Sequence, residues 1–174
     1  MDRLLPALIV AAILALALAL MWLGWRSRQR RQRTLPQLSP VPTDAGAELL
    51  RVSAFYVATT VADEPLERIA VGGLGYRAKA QLTVRERGLE LAIPGQHELF
   101  IPATDITEVF RARNTIDRVV ERDGLIAVRY GIGAGAGAGA GATTVDSYVR
   151  IVDPVAANDF VATLTSLATK AGTA

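Results

Sequence analysis

The chain has no cysteine and only one histidine, His97, among its 174 residues. Without cysteine there are no disulfides, no thiolate metal sites and no cysteine nucleophile. A Ser-His-Asp arrangement would hang on His97 alone, serines are few, and no G-x-S-x-G occurs. His97 follows the Pro94-Gly95 turn signal and reads as a surface loop residue. No clustered Asp/Glu spacing points to an oxygen-ligated metal. The sequence is therefore read as non-enzymatic, with no cofactor and no metal.

A strong net charge is also absent, since the formal total is only +2. Its distribution is uneven. Residues 1–33 hold six basic groups and one acidic group, which leaves thirteen basic and sixteen acidic groups for residues 34–174. The larger part is thus mildly acidic, which argues against a nucleic-acid partner.

What the chain does have is one long apolar run. Leu4 to Trp25 is 22 residues without a charge, about 33 Å as a helix. That is enough to cross a hydrocarbon core about 30 Å thick. Pro6 falls in the first turn, where its missing N–H costs little. Trp22 and Trp25 lie at the far end, at headgroup level. Arg26, Arg28, Arg30, Arg31 and Arg33 follow at once, whereas the N-terminal flank offers only Arg3 beside Asp2. The positive-inside rule places the C-terminal side in the cytoplasm. A cleaved signal peptide would carry its basic residues before a shorter run. The expectation is a plasma-membrane protein with one span over 4–25, its N-terminus outside and its C-terminal domain cytoplasmic.

Residues 26–48 read as an Arg-rich flank and a Pro-rich linker, with Pro36, Pro40 and Pro42. The domain is expected over 49–172. From there the dominant period is two. Val52–Thr60, Ala78–Val84, Leu89–Ile93, Leu99–Ile101, Val109–Arg113, Leu125–Tyr130 and Val145–Val152 read as strands, separated by turn signals. The period then changes. Asp153 can cap a helix, Pro154 fits its first position, and Val155, Phe160, Val161, Leu164 and Leu167 recur at helical spacing. The Gly-Ala run over 133–142 separates the last two strands. It reads as a hairpin extension, with silk-like stacking as the alternative for small alternating residues.

Seven antiparallel strands in a barrel or sandwich, followed by one helix, is the order of the pleckstrin-homology (PH) superfold. Leu99-Phe100-Ile101-Pro102-Ala103-Thr104-Asp105-Ile106 resembles the strand–Pro–turn–strand pattern of bacterial PH-like domains. The N-terminal span, the arginines, Tyr56-Val57-Ala58-Thr59-Thr60 and the stretch from Arg68 to Ala80 resemble a family of actinobacterial single-pass membrane proteins with a PH-like domain. The resemblance implies an interaction module rather than an enzyme. Some members carry transport labels, which implies an accessory subunit of a transport complex as an alternative.

Three candidate sites follow. The first is membrane-surface contact by Trp22, Trp25, Arg26, Arg28, Arg30, Arg31 and Arg33, where each basic residue adds about 1 kcal/mol near an anionic leaflet. Its plainer reading is a topology signal alone. The second is a ligand loop with Arg68, Arg77 and Lys79, matching the headgroup-binding region of eukaryotic PH domains, though Asp63, Glu64 and Glu67 share it. The third, Gly73-Leu74-Gly75-Tyr76-Arg77-Ala78, fits a relaxed dinucleotide fingerprint, but that motif needs a helix next and a strand pattern follows. The expected partners are the bilayer and a protein or peptide held in a groove between a strand edge and the helix. Anionic-lipid binding by the domain is the alternative.

Overall fold

The computed structural model describes residues 4–33, 38–69, 74, 76–112, 114–115, 118–119, 124–133 and 143–173. The chain divides into two units, Met1–Thr34 and Leu35–Ala174.

The first unit is helix α1, Leu4–Arg33. Alanine and leucine favour it, and nothing before Arg33 breaks it, because arginine is also a good helix former. The helix therefore continues past Trp25 through the arginine run. From Pro6 to Gly24 every side chain is exposed, and this 19-residue stretch is long and apolar enough to cross a membrane. Arg26 lies over the Trp22 ring, 5.3 Å from its centroid.

The second unit is a mainly antiparallel β-domain with a C-terminal helix. Its strands are β1 (Glu48–Val61), β2 (Glu64–Arg68), β3 (Ala78–Arg85), β4 (Gly88–Ala92), β5 (Leu99–Pro102), β6 (Ile106–Ala112), β7 (Asn114–Thr115), β8 (Arg118–Val119), β9 (Leu125–Ile132) and β10 (Thr143–Arg150). Helix α2 spans Pro154–Gly172. The main sheet has eight strands in the order β5-β4-β3-β1-β10-β9-β6, with β2 on β1 and β7–β8 as a separate pair. Seven strands were expected. The extra one, β2, pairs with β1 only at Thr60↔Arg68 and Val61↔Glu64. So short a pairing leaves no alternating burial to read. The turn before it is made by Asp63, whose φ of 64° suits an Asp better than most residues.

Strand β1 organises the domain. Its first part, Glu48–Tyr56, pairs with β3; its second, Phe55–Val61, pairs with β10. The register shifts between Tyr56 and Ala58, a bulge that bends the strand where it passes from one half of the sheet to the other. The main core fills the interior with Tyr56, Leu82, Val84, Leu91, Ile101, Val128, Tyr130 and Val145. A second cluster of Val57, Ala58, Ala112, Leu125, Ala127 and Tyr148, with Phe110 against it, lies on the opposite face of the β1–β10–β9–β6 half. That half is therefore buried on both faces. Along β9, Leu125, Ile126, Ala127 and Val128 are accordingly all buried, with no alternation between faces.

The β3–β4 hairpin turns at Glu86-Arg87, between the paired residues Arg85 and Gly88. Only glycine fits next, since a Cβ on Gly88 would lie 2.3 Å from the Ile101 carbonyl oxygen. Helix α2 begins where expected. Asp153 accepts from the Val155 N–H at 3.0 Å and Pro154 takes the first turn. Phe160 and Leu164 are wholly buried among the core residues. Residues 38–47 belong to this unit's packing and are not free spacer. Leu38 packs on the core, Ala45 is buried, and Ser39 bridges Phe100 on β5. Most of the Gly-Ala run, 134–142, lies outside the described residues. Its flanking residues Ile132 and Thr143 pair directly.

Candidate functional site

Inside the barrel, four hydroxyls from three strands meet. The Tyr56 hydroxyl lies 2.8 Å from Thr59 Oγ1, and Thr59 Oγ1 lies 2.6 Å from Ser147 Oγ. Ser147 Oγ is 2.9 Å from the Tyr130 hydroxyl. Tyr56 also donates to the Leu74 carbonyl at 2.9 Å, which ties the β2–β3 connection to the interior. Burial raises the Tyr56 hydroxyl above the usual tyrosine value. It pushes Tyr130 up to about 12, so both stay neutral, linked through Thr59 and Ser147. The residues are adjacent only through β1–β10 and β10–β9 pairing, and the network was not readable from the sequence.

At one end of the second half, Arg129 binds the buried Asp146 through two bonds of 2.7 and 2.9 Å. It reaches Asp63 at 3.1 Å and lies 5.5 Å from the Phe110 ring centroid. The bonds to Asp146 hold the guanidinium well above its ordinary value. This cluster clasps the β1–β2 turn to β9 and β10, so its charges are spent internally.

A surface pocket of about 770 Å³ lies at the β1 corner. Phe55, Lys79, Ala92, Ile93, Glu98 and Val152 are among its lining residues, and Asp153 sits at its edge with α2. Val152, on its lining, is an exposed apolar side chain. Its lining charges are one ammonium and two carboxylates, a balance unlike that of a phosphate site.

The ligand-loop residues do not gather into one cluster. Lys79 lines the pocket and Arg77 is exposed just before β3. Arg68 pairs with Thr60 whereas Lys79 pairs with Phe55. Five residues along β1 separate those levels, about 17 Å. Arg68 Nη2 donates to the Val57 carbonyl at 3.2 Å, which gives it a place in the scaffold. Ala78 opens strand β3, so no helix follows the Gly73–Ala78 fingerprint; Gly73 and Gly75 lie outside the described residues. His97 is exposed. Among the described residues, no group of three or more His, Asp or Glu side chains could hold a metal ion. Trp22 and Arg26 are exposed on α1; Trp25, Arg28, Arg30, Arg31 and Arg33 continue the same helix.

The two sheet edges differ. Strand β6 pairs with β9 on one side and with no other strand among the described residues. It runs beside α2, with Arg111 Nη2 donating to Asn158 Oδ1 at 2.6 Å. The edge strand β5 carries Ser39 on its outer side, where the Phe100 N–H donates to the Ser39 carbonyl at 2.9 Å.

No curated protein matches the chain. Among solved structures it is similar to a chain of "The 8S snRNP Assembly Intermediate", at 9% identity and a TM-score of 0.45, over 78% of this chain and 90% of that one. The family described as "Bacterial PH domain-like" matches residues 35–165, a span that takes in the Ser39 segment, every strand of the sheet and most of α2. With the strand order and the closing helix, that match assigns the chain to the bacterial PH domain-like family.

Proposed function

We propose that this chain is a single-pass membrane protein whose PH-like domain serves as a non-catalytic protein-interaction module on the cytoplasmic face. The carrying observation is the outer edge of β6, which has no strand partner among the described residues and runs beside α2. An unpaired edge offers backbone donors and acceptors to an extended segment of another protein, and side-chain contacts along α2 add selectivity. Arg26, Arg28, Arg30, Arg31 and Arg33, with Trp22 and Trp25, form the membrane-side collar that fixes orientation. Lys79 serves as an accessory contact at the corner pocket, Arg77 is an exposed contact before β3, and Arg68 is a scaffold residue.

A photo-crosslinking amino acid placed at Thr107 in the full chain, expressed in native membranes, tests this. A reproducible adduct with one protein, lost when Val109→Pro spoils the edge, is the expected result. Adducts that are absent, or unchanged by Val109→Pro, would overturn the edge reading. A reporter fused at the C-terminus should be active only in its cytoplasmic form. Vesicles containing anionic lipid should not bind through the domain once the arginine collar is neutralised, because Lys79 shares its pocket with Glu98 and Asp153.

A further inference from the structure

On the outward face of β1, β3 and β4, two opposite charges share one concavity without bonding to each other. Val52, Ala54, Ala80 and Leu82 are buried. The residues alternating with them, Ser53, Phe55, Lys79 and Gln81, therefore point away from the main core. They line the corner pocket of about 770 Å³, a size within the range of small-molecule sites. Ser53 pairs with Gln81 and Phe55 with Lys79, and Gln81 pairs with Ala92. The strand order β5-β4-β3-β1-β10 sets the two walls. Glu98 stands just before β5 and Asp153 follows β10, with Lys79 on the strand midway between them.

Both walls are fixed by the chain itself. Gly95, at φ 81°, allows the tight turn in which the Gln96 N–H donates to the Ile93 carbonyl at 3.0 Å. Asp153 is held by its cap, where Oδ1 accepts from the Val155 N–H. The charges, in contrast, are not spent. Elsewhere on this face Arg51 binds Glu48 and Arg85 binds Glu90. Lys79 and Glu98 enter no ion pair or hydrogen bond among the described residues. Arg51 feels Glu98 only as a distant charge.

A simple anion would answer Lys79 but meet Glu98 and Asp153 with like charge, and a simple cation would be repelled by Lys79. A ligand carrying both signs makes a charge-assisted bond at each place. Its apolar part would cover Phe55, Ala92 and Val152, which share the lining. We infer that the corner pocket binds a small zwitterion of the amino-acid or dipeptide type with apolar side chains. Lys79 takes its carboxylate, Glu98 its ammonium, and the apolar lining its side chains. A zwitterionic lipid headgroup has the same two charges, but its apolar part stays in the bilayer and would leave that lining bare. The inference goes beyond the protein-interaction reading and does not draw on the β6 edge.

Isothermal titration calorimetry on the full chain in detergent micelles tests it. The probes are leucine and leucyl-leucine, each free, N-acetylated and C-amidated, with glycerophosphoethanolamine as the headgroup probe. At least one free leucine probe should bind, and both its blocked forms should bind at least about tenfold more weakly, the loss that one charged hydrogen bond gives. Lys79→Met should erase the difference between the free and amidated forms. Glu98→Gln should erase the difference between the free and N-acetylated forms. These crossed losses report contact with the ligand, because damage to the fold would weaken every form alike. No binding by either free probe, equal binding by the blocked forms, or uniform weakening of every form in both variants would overturn the inference. So would tighter binding of glycerophosphoethanolamine than of either leucine probe. Adducts at Thr107 are read in a separate experiment, so either reading can fail without the other.

Discussion

The two helices show how one backbone geometry carries two opposite residue patterns. Along α1, leucines, isoleucine and valine point in every direction and stay exposed from Pro6 to Gly24. On α2, Phe160 and Leu164 are wholly buried while Asn158, Asp159 and Thr165 face outward. The stability of α2 comes from the barrel it covers, because an amphipathic helix gains most from its packed stripe. On the proposed single-pass reading, that of α1 comes from hydrocarbon around its whole circumference. A helix apolar all round needs no particular neighbour. A helix apolar on one side is defined by the surface it meets.

Substitutions can break that contrast. The largest effect is expected for Phe160→Ala, which empties a fully buried site and should cost about 3–5 kcal/mol of domain stability. Urea unfolding of the detergent-solubilised chain, followed by circular dichroism, reads it. Leu14→Ala on α1 should leave the same transition in place. Next comes a charge in α1. Leu14→Lys should weaken membrane insertion by about 2.5–3.5 kcal/mol, measured as release on alkaline carbonate extraction. Lysine at exposed Ala162 on α2 should shift unfolding by less than about 0.5 kcal/mol. If both lysines acted alike, the division between the helices would fail.

Two smaller effects probe the interior that α2 covers. Ser147→Ala removes the hydroxyl shared by Thr59 and Tyr130, and stranding buried partners costs about 1–3 kcal/mol. The urea midpoint should fall, and amide exchange near Leu74 should quicken if the relay holds that connection. The last effect is on pH. Tyr130, pushed up to about 12 by burial, titrates higher folded than unfolded. Its contribution is complete below about pH 10, the unfolded value, and declines as pH rises toward 12. At pH 11 the loss is on the order of 1 kcal/mol, and Tyr130→Phe should flatten that limb of the stability profile.

Much of this architecture is legible in the residues. Alternation in Ala78–Val84 and Leu89–Ile93 marks the strands, though Thr83 and Glu90 on the other face are buried too, and Asp153-Pro154 marks the start of α2. Legibility ends where neighbours are distant in sequence. Ser147 sits in an inward row with Val145 and Val149, but nothing local shows that it meets Thr59 and Tyr130. Prolines at 40 and 42 correctly mark an extended segment. Whether such a segment floats or lies against a strand depends on Glu86, Arg87 and Phe100, far along the chain. The spacing of the ligand-loop residues was hidden for a related reason. Arg68 and Lys79 flank one connection, yet the intervening β2 fold-back separates their levels on β1.

The pairing of Ile132 with Thr143 closes the β9–β10 ladder before the Gly-Ala repeat begins. Chain added beyond a closed ladder enters only as loop entropy, about 0.6 kcal/mol for each doubling of length. Copying errors that lengthen or shorten such a repeat would therefore pass through folding almost unnoticed. The β9–β10 register would stay fixed through such changes, because Ile132 and Thr143 already set it.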